Sequence, residues 1–173
     1  MIQEKTTYRY LANEDIDIII NNFLGQGWHK ERKTIENYIL DQEKGNSIVI
    51  VAEIENDIAG YITLIPEAQD AITFVNKKIP EIKDFVVFEK YQSQGIGNKL
   101  LELIETEAAN VANEVCLGVG LHSGYGAAQR LYIKRGFIPD GTGIWSGNEL
   151  ALPYSMIKND DELVMFLSKK LKK

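Results

Sequence analysis

The chain has 173 residues and a formal net charge of −6, from 25 acidic and 19 basic side chains. That balance excludes an electrostatic match to a nucleic-acid backbone; the lysine-rich end (Lys169, Lys170, Lys172, Lys173) reads as a solubilising terminus, not a binding stripe. One cysteine, Cys116, excludes a disulfide framework and a zinc-ligand set, so no metal is expected.

The length fits one globular domain over residues 1–173 with a sizeable core. Met1 to Lys5 lack a basic start and an apolar stretch, and no apolar run approaches membrane-spanning length. The expectation is a soluble, cytoplasmic protein with neither membrane nor nucleic-acid partner.

In chain order, Thr7 to Tyr10 predicts a short strand. Asn13 offers a helix cap, and Ile16, Ile19, Ile20, Phe23 and Leu24 recur at helical spacing before Gly25-Gln26-Gly27. A second helix is expected over Lys30 to Asp41. Ser47 to Glu53 and Ile58 to Ile65 read as a hairpin around Glu55-Asn56-Asp57. Pro66 to Pro80 is ambiguous; Ala71 to Val75 is either a short strand or part of a long loop. Glu81 to Phe88 predicts a strand, Gln94 to Asn110 a helix, Glu114 to Gly120 a strand and Tyr125 to Lys134 a helix. Gly136-Phe137 opens another strand, and Glu162 to Leu171 is the last. The class is α/β with a mixed sheet, in which 81–88, 94–110 and 114–120 form one βαβ crossover.

Along the 94–110 helix, Ile96, Leu100, Leu103, Ile104, Ala108 and Val111 mark the core face. Asn98, Lys99, Glu102, Glu105 and Glu107 mark the polar one. The junction before it, Asp84 to Gly97, is a strand, a turn with two glycines and a helix start. Such a junction directs free backbone N–H groups and a helix dipole at one spot and so suits a phosphate. A turn-forming role for the glycines alone is the plain alternative. A P-loop is excluded because Gly97 is followed by Asn98 and Lys99 with no hydroxyl. A dinucleotide fingerprint is excluded because Leu100 stands where its third glycine belongs.

Gln92-Ser93-Gln94-Gly95-Ile96-Gly97 resembles the Gln/Arg-x-x-Gly-x-Gly/Ala loop of the GNAT superfamily of acetyl-CoA-dependent N-acetyltransferases. Ala128-Gln129-Arg130-Leu131-Tyr132-Ile133-Lys134-Arg135-Gly136-Phe137 is similar to that family's Ala-x-x-Leu-Tyr-x-x-x-Gly-Phe block. Both blocks occur in order, separated by room for one helix and one strand. The resemblance implies a GNAT-like mixed, mostly antiparallel central sheet of about six to seven strands with helices on both faces.

It also implies acetyl-CoA as acetyl donor, with its pyrophosphate against the backbone of Gln92, Ser93, Gln94, Gly95, Ile96, Gly97 and Asn98. Phe85, Val86 and Val87 would meet the pantetheine arm, with Tyr125 and Ala128 also beside the cofactor. Tyr125 departs from the asparagine usual at its position, so it either substitutes through its hydroxyl or packs against the cofactor. The Val87 N–H would polarise the thioester carbonyl. By resemblance Tyr132 protonates the leaving thiolate. A phenol titrates near ~10 and a thiol near ~8.5, so a hydrogen bond from the tyrosine is the minimum role.

Glu81 lies at even spacing from Phe85 and Val87, which puts it on their side of the strand. It is either the base or a solvated strand-end charge, while Asp84 faces away. His122, at the end of strand 114–120, is a proton relay or a surface residue. Cys116, between Val115 and Leu117, reads as core rather than nucleophile. Trp28, Trp145 and Tyr154, with His29 and Phe74, lie in the segments that would select an amine acceptor. They wall a pocket, anchor loops or serve an oligomer interface such as a homodimer's. The acceptor is unassigned between a small molecule and a peptide or protein amine, and a non-catalytic acyl-CoA-binding module on the same fold is the contrary class.

Overall fold

The computed structural model describes residues 5–172; Met1 to Glu4 and Lys173, to which the readings of the two termini extend, lie outside the described residues. The elements are β1 (Thr7–Tyr10), α1 (Asp15–Gly25), α2 (Arg32–Glu43), β2 (Ile48–Ile54), β3 (Asp57–Ile65), β4 (Glu81–Val87), α3 (Ile96–Ala109), β5 (Glu114–Gly120), α4 (Gly126–Lys134), β6 (Ile138–Ser146), β7 (Glu149–Leu150) and β8 (Leu163–Lys170). The class is mixed α/β, and the sheet is mostly antiparallel, with β4 and β5 meeting in a parallel bridge. Among the described residues there are eight strands rather than six to seven, because β7 is a two-residue hairpin partner of β6 with little sequence signal.

The chain divides into two compact units. The first holds the residues up to Ile65 together with Ile82–Glu107, and its strands run in the hydrogen-bonded order β1-β2-β3-β4. Ile16, Ile19 and Phe23 of α1, and Ile35 and Ile39 of α2, bury against Val49, Val51, Ile58, Tyr61 and Phe88. The Phe23 and Phe88 rings meet edge to face at 5.1 Å. Each fully buried aliphatic or aromatic side chain contributes roughly 1.5–3 kcal/mol as an upper bound, so this apolar seam supplies the unit's main cohesion.

Local details differ from the sequence reading in two places. Asn13 does not cap α1. Instead the buried Asp15 carboxylate accepts the Ala12 N–H at 2.9 Å and is gripped by both terminal nitrogens of Arg9 at 2.7 Å each. On α3 the buried stripe is Ile96, Leu100, Leu101, Ile104, Glu105 and Ala108. Glu105 therefore joins the inner face. Val111, beyond the end of the helix, is 68% exposed.

The β2–β3 hairpin turns through Glu55 (φ 49°) and Asn56 (φ 65°), the left-handed pair such a tight turn requires. Just after it, Asp57 accepts hydrogen bonds from Lys90 (2.6 Å), the Tyr91 hydroxyl (2.6 Å) and Asn22 (2.8 Å). Burial alone would raise its pKa, but the bonds from Lys90, Tyr91 and Asn22 outweigh it, so the carboxyl sits below the ordinary range. A depressed folded-state pKa gives stability that is present above the unfolded value of about 3.9 and lost as pH falls through the folded value. Asp57→Asn is therefore expected to flatten the acid limb of stability below about pH 4, measured by denaturant unfolding across pH.

The second unit holds Pro66–Glu81 and the residues from Ala108 on. Its strands run in the order β5-β8-β6-β7, and Glu81, the first residue of β4, pairs in parallel with Cys116 as the crossover requires. The ambiguous stretch 66–80 is no strand. It is an ordered connection with one 3-10 turn at Ile72–Phe74, pinned by Ala68 N–H to Ile79 C=O (2.8 Å) and by the Thr73 hydroxyl to Asp140 (2.6 Å). Ala68, Ala71 and Phe74 bury with Cys116 and Phe166. Asp140 also accepts the Thr142 N–H and hydroxyl, and this turn splits the β6–β8 register between Pro139 and Ile144.

Candidate functional site

In the first unit, β4 leads into the glycine junction. The Phe88 N–H donates to the Ala59 carbonyl (3.0 Å), and a single 3-10 turn covers Glu89–Tyr91. The Gln92 side-chain amide then donates to the Val87 carbonyl at 3.0 Å, locking the strand end to the loop. Ser93 (φ 61°) and Gly95 (φ 83°) both occupy the left-handed region, an arrangement that turns nearby backbone N–H groups toward one concavity. The Gly95 carbonyl accepts the Lys99 N–H (3.1 Å), so the first turn of α3 opens here with its leading N–H groups without helical partners.

Gln92, Ser93, Gln94, Gly95 and Asn98 are exposed, Gly97 is half-buried and Ile96 anchors the turn in the core. A Cβ on Gly95 would meet nothing within 4 Å. Glycine is needed there for its φ, and the space above it is open to a bulky anion. Backbone donors, a helix start and open space fit a pyrophosphate such as that of coenzyme A.

Phe85, Val86 and Val87 are half-buried along β4. Here β3 comes unusually close: a Cβ on Gly60 would lie 2.4 Å from the Val86 oxygen and 3.1 Å from Val87 Cα.

Asp84 lies within β4 but has φ 44°. This left-handed residue interrupts the two-residue period, so even spacing does not carry through it and does not place Glu81 on the side of Phe85 and Val87. Asp84 Oδ2 accepts from Lys30 Nζ at 2.5 Å and from the Tyr38 and Tyr61 hydroxyls at 2.9 Å each. Tyr61 is buried, and burial followed by the Asp84 charge holds its phenol well above the ordinary pKa. Trp28 is half exposed beside Phe23, at 6.4 Å between ring centres. His29 pairs with Glu31 at the surface.

In the second unit, Glu81 is 3% exposed, and its Oε2 accepts the N–H groups of Gln69 (2.8 Å) and Asp70 (3.0 Å). It is not a solvated strand-end charge: its carboxylate ties down the 66–80 connection. Cys116 is fully buried with its thiol on the Pro80 carbonyl (3.4 Å), and burial, then the Glu81 and Glu114 charges, push its pKa up. A buried thiol of that kind is core, as its neighbours in sequence imply.

Tyr132 lies on α4, 7% exposed, with its ring edge-on to Phe137 at 5.8 Å. Burial and then Tyr125 raise its pKa, so the phenol keeps its proton through the neutral range. Ala128, one turn earlier on α4, is half-buried.

His122 and Tyr125 meet at Asp161, a residue with no local motif to single it out. The Gly124 N–H donates to His122 Nδ1 (3.0 Å), which places the ring proton on Nε2 for donation to Asp161 Oδ1 (2.8 Å). The Tyr125 hydroxyl donates to the same oxygen at 2.9 Å. Both imidazole nitrogens are thereby engaged in holding the 122–126 turn. The Tyr125 phenol is pushed up to about 12 by burial and then by Asp161, and the Asp161 carboxyl is held low by His122 and then Tyr125. A Cβ on Gly120 would run into the Tyr125 ring at 2.3 Å, so glycine there lets the aromatic lie flat on the end of β5.

Trp145 packs inward on Phe166 (6.1 Å) and donates to the Thr142 hydroxyl, whereas Tyr154 stands fully in solvent. These two aromatics therefore do not wall one pocket. Among the described residues no helix is long and apolar enough to cross a membrane, and no group of three or more His, Cys, Asp or Glu is placed to hold a metal.

The sequence profile described as Acetyltransferase (GNAT) domain matches residues 45–139. No curated protein sequence matches the chain. Solved structures of the same fold include an N-acetyltransferase from Staphylococcus aureus Mu50, 16% identical, covering 97% of this chain and 99% of that one with a TM-score of 0.71. A second is the Salmonella typhimurium protein yncA, assigned as an acetyltransferase and solved with its cofactor acetyl-CoA. It is 19% identical, covering 97% and 95% of the two chains with a TM-score of 0.68. A third, also from Salmonella typhimurium, is an acetyl transferase that modifies the N-terminal serine of ribosomal protein L7/L12. It is 14% identical, covering 99% and 98% with a TM-score of 0.71. At these identities the likeness is one of fold. The fold and the profile together define an acyl-transferring enzyme, and the chain belongs to the GNAT acetyltransferase family. It is an acetyl-CoA-dependent acetyltransferase.

Proposed function

We propose that the chain transfers the acetyl group of acetyl-CoA to a primary amine of a small molecule, by direct attack with both substrates bound. The observation that carries this reading is the junction after β4, where Ser93 and Gly95 take left-handed backbone conformations at the start of α3. Acetyl-CoA supplies the acetyl group as a thioester. Gln92 to Asn98 would hold its pyrophosphate with backbone N–H groups, and Gln92 keeps the end of β4 in place by its bond to Val87. Phe85 to Val87 would align the pantetheine arm by backbone pairing, with the Val87 N–H polarising the thioester carbonyl.

Tyr132 holds a proton at its hydroxyl, kept there by burial, for the sulfur that leaves. In this reading Tyr125 replaces the usual asparagine by packing, since its hydroxyl is taken by Asp161. Glu81, buried and bonded to two backbone N–H groups, acts in positioning the 66–80 connection; the acceptor's proton leaves by another carboxylate or by water.

Acetyl-CoA at about a hundredfold its Kd is expected to stabilise the chain by about 2.7 kcal/mol. At this chain length that is a rise in Tm on the order of 5–10 °C in a thermal-shift series. ATP is expected to give none; stabilisation by ATP without stabilisation by coenzyme A would overturn the assignment of the loop.

A further inference from the structure

Asp84 stands out because it combines three features in one place. It is left-handed (φ 44°) within a strand, its side chain is 17% exposed, and a single carboxylate oxygen takes three donors. Two of those donors, the Tyr38 and Tyr61 hydroxyls, are neutral and come from α2 and β3. They hold the carboxylate in position whether or not a cation is present. The third is the ammonium of Lys30, which is carried by the connection between α1 and α2, not by a packed element, and keeps 21% of its side chain in contact with solvent. The same ammonium lies 5.7 Å from the centre of the Phe23 ring. Two residues from Tyr61 on the same face of β3, Thr63 is fully buried and its hydroxyl has no hydrogen-bond partner among the described residues.

A fixed carboxylate beside an aromatic ring is one way proteins recognise an alkylammonium ion. The cation of this set is itself an alkylammonium, carried on a connecting loop. Resting on the acetyltransferase reading above, we propose that Asp84, Tyr38, Tyr61 and Phe23 form the pocket for the cationic amino group of the acceptor, the position marked here by Lys30 Nζ. Its side chain yields that position when the acceptor enters. The acceptor class is accordingly a linear primary alkylamine, charged at neutral pH, with no carboxylate next to the amino group. An acidic neighbour would meet Asp84 and be repelled. Because the two tyrosines hold the carboxylate in advance, little ordering is required when the cation changes.

The test uses the full chain with Lys30→Ala, which opens the space of one butylammonium side chain. n-Butylamine is the probe and n-butanol its neutral counterpart, with binding followed by NMR shifts at pH 7.5. Lys30→Ala is expected to bind n-butylamine at least tenfold more tightly than n-butanol, and at least tenfold more tightly than the unaltered chain does. Adding Asp84→Asn is expected to abolish the preference. Equal binding of the two probes, or a preference that survives Asp84→Asn, overturns the proposal.

If Lys30→Ala does not fold alone, n-butylamine at tens of millimolar is expected to restore the fold where n-butanol does not; failure of that rescue also overturns it. None of these measurements needs acetyl-CoA. A chain that binds n-butylamine as expected but neither binds acetyl-CoA nor releases coenzyme A with any amine would refute the acetyltransferase reading and leave the ammonium site standing.

Discussion

Replacing Gly60 by valine is expected to lower stability by about 3 kcal/mol and, in the chain that still folds, to weaken acetyl-CoA binding at least tenfold. The cause is backbone contact. A Cβ at this position would sit 2.4 Å from the Val86 oxygen and 3.1 Å from Val87 Cα, and neither atom is the end of a flexible side chain that swings aside. Either β3 and β4 part locally, or β4 shifts along Val86–Val87. Both outcomes cost packing around Tyr61 and Phe88, which are almost fully buried. The shift also displaces the Val87 carbonyl from the Gln92 amide that locks the glycine loop. Alanine adds the same Cβ without the branches and should give a smaller loss in the same direction. Thermal unfolding reads the first effect, and calorimetric titration with acetyl-CoA reads the second. A valine variant as stable as the parent would show that β4 moves freely at this point.

The second large effect is on turnover alone. Tyr132→Phe is expected to lower kcat by 10²–10⁴-fold, the usual range for removal of a proton donor, with acetyl-CoA affinity changed less than threefold. The ring is retained, and with it the edge-on contact to Phe137 at 5.8 Å, so α4 keeps its packing. Loss of cofactor binding together with turnover would point to a packing role. Unchanged turnover would assign the proton to another donor, and an enzyme that never turned over would favour a binding module on this fold. Because burial keeps the phenol protonated through neutrality, the effect should be the same at pH 7 and pH 9.

Most of the architecture was legible because hydrophobic period and punctuation agree over long stretches. The β2–β3 hairpin follows from two apolar runs around Glu55-Asn56-Asp57, and β5 matches its expected limits from Glu114 to Gly120. The parts that differ depend on single backbone or side-chain choices made by tertiary contacts. Asp15, rather than Asn13, starts α1 because Arg9 reaches it from β1. The left-handed turn at Asp84 has no composition signal beyond the tolerance of aspartate for that region, yet it decides which way the carboxylates of β4 point.

The candidate site divides in the same way. Its loop was readable, since glycines at fixed spacing carry their reason locally, and Gly95 does adopt the conformation that glycine permits. The partners of His122 and Tyr125 were not. Asp161 lies 36 and 39 residues away, and only the fold brings it to them. Lys30, Tyr38 and Tyr61 converge on Asp84 across 23 to 54 residues for the same reason.

The lone cysteine has a practical consequence. Coenzyme A leaves this enzyme as a free thiol, and colorimetric reagents that react with thiols are a direct way to follow it. Cys116 is fully buried and its pKa is raised, so while the chain is folded it offers such a reagent almost no thiolate. The colour then counts product alone. Any slow signal from the chain in a blank without acetyl-CoA reports instead how often the strand around Cys116 opens to solvent, a clock for local unfolding built into the chain.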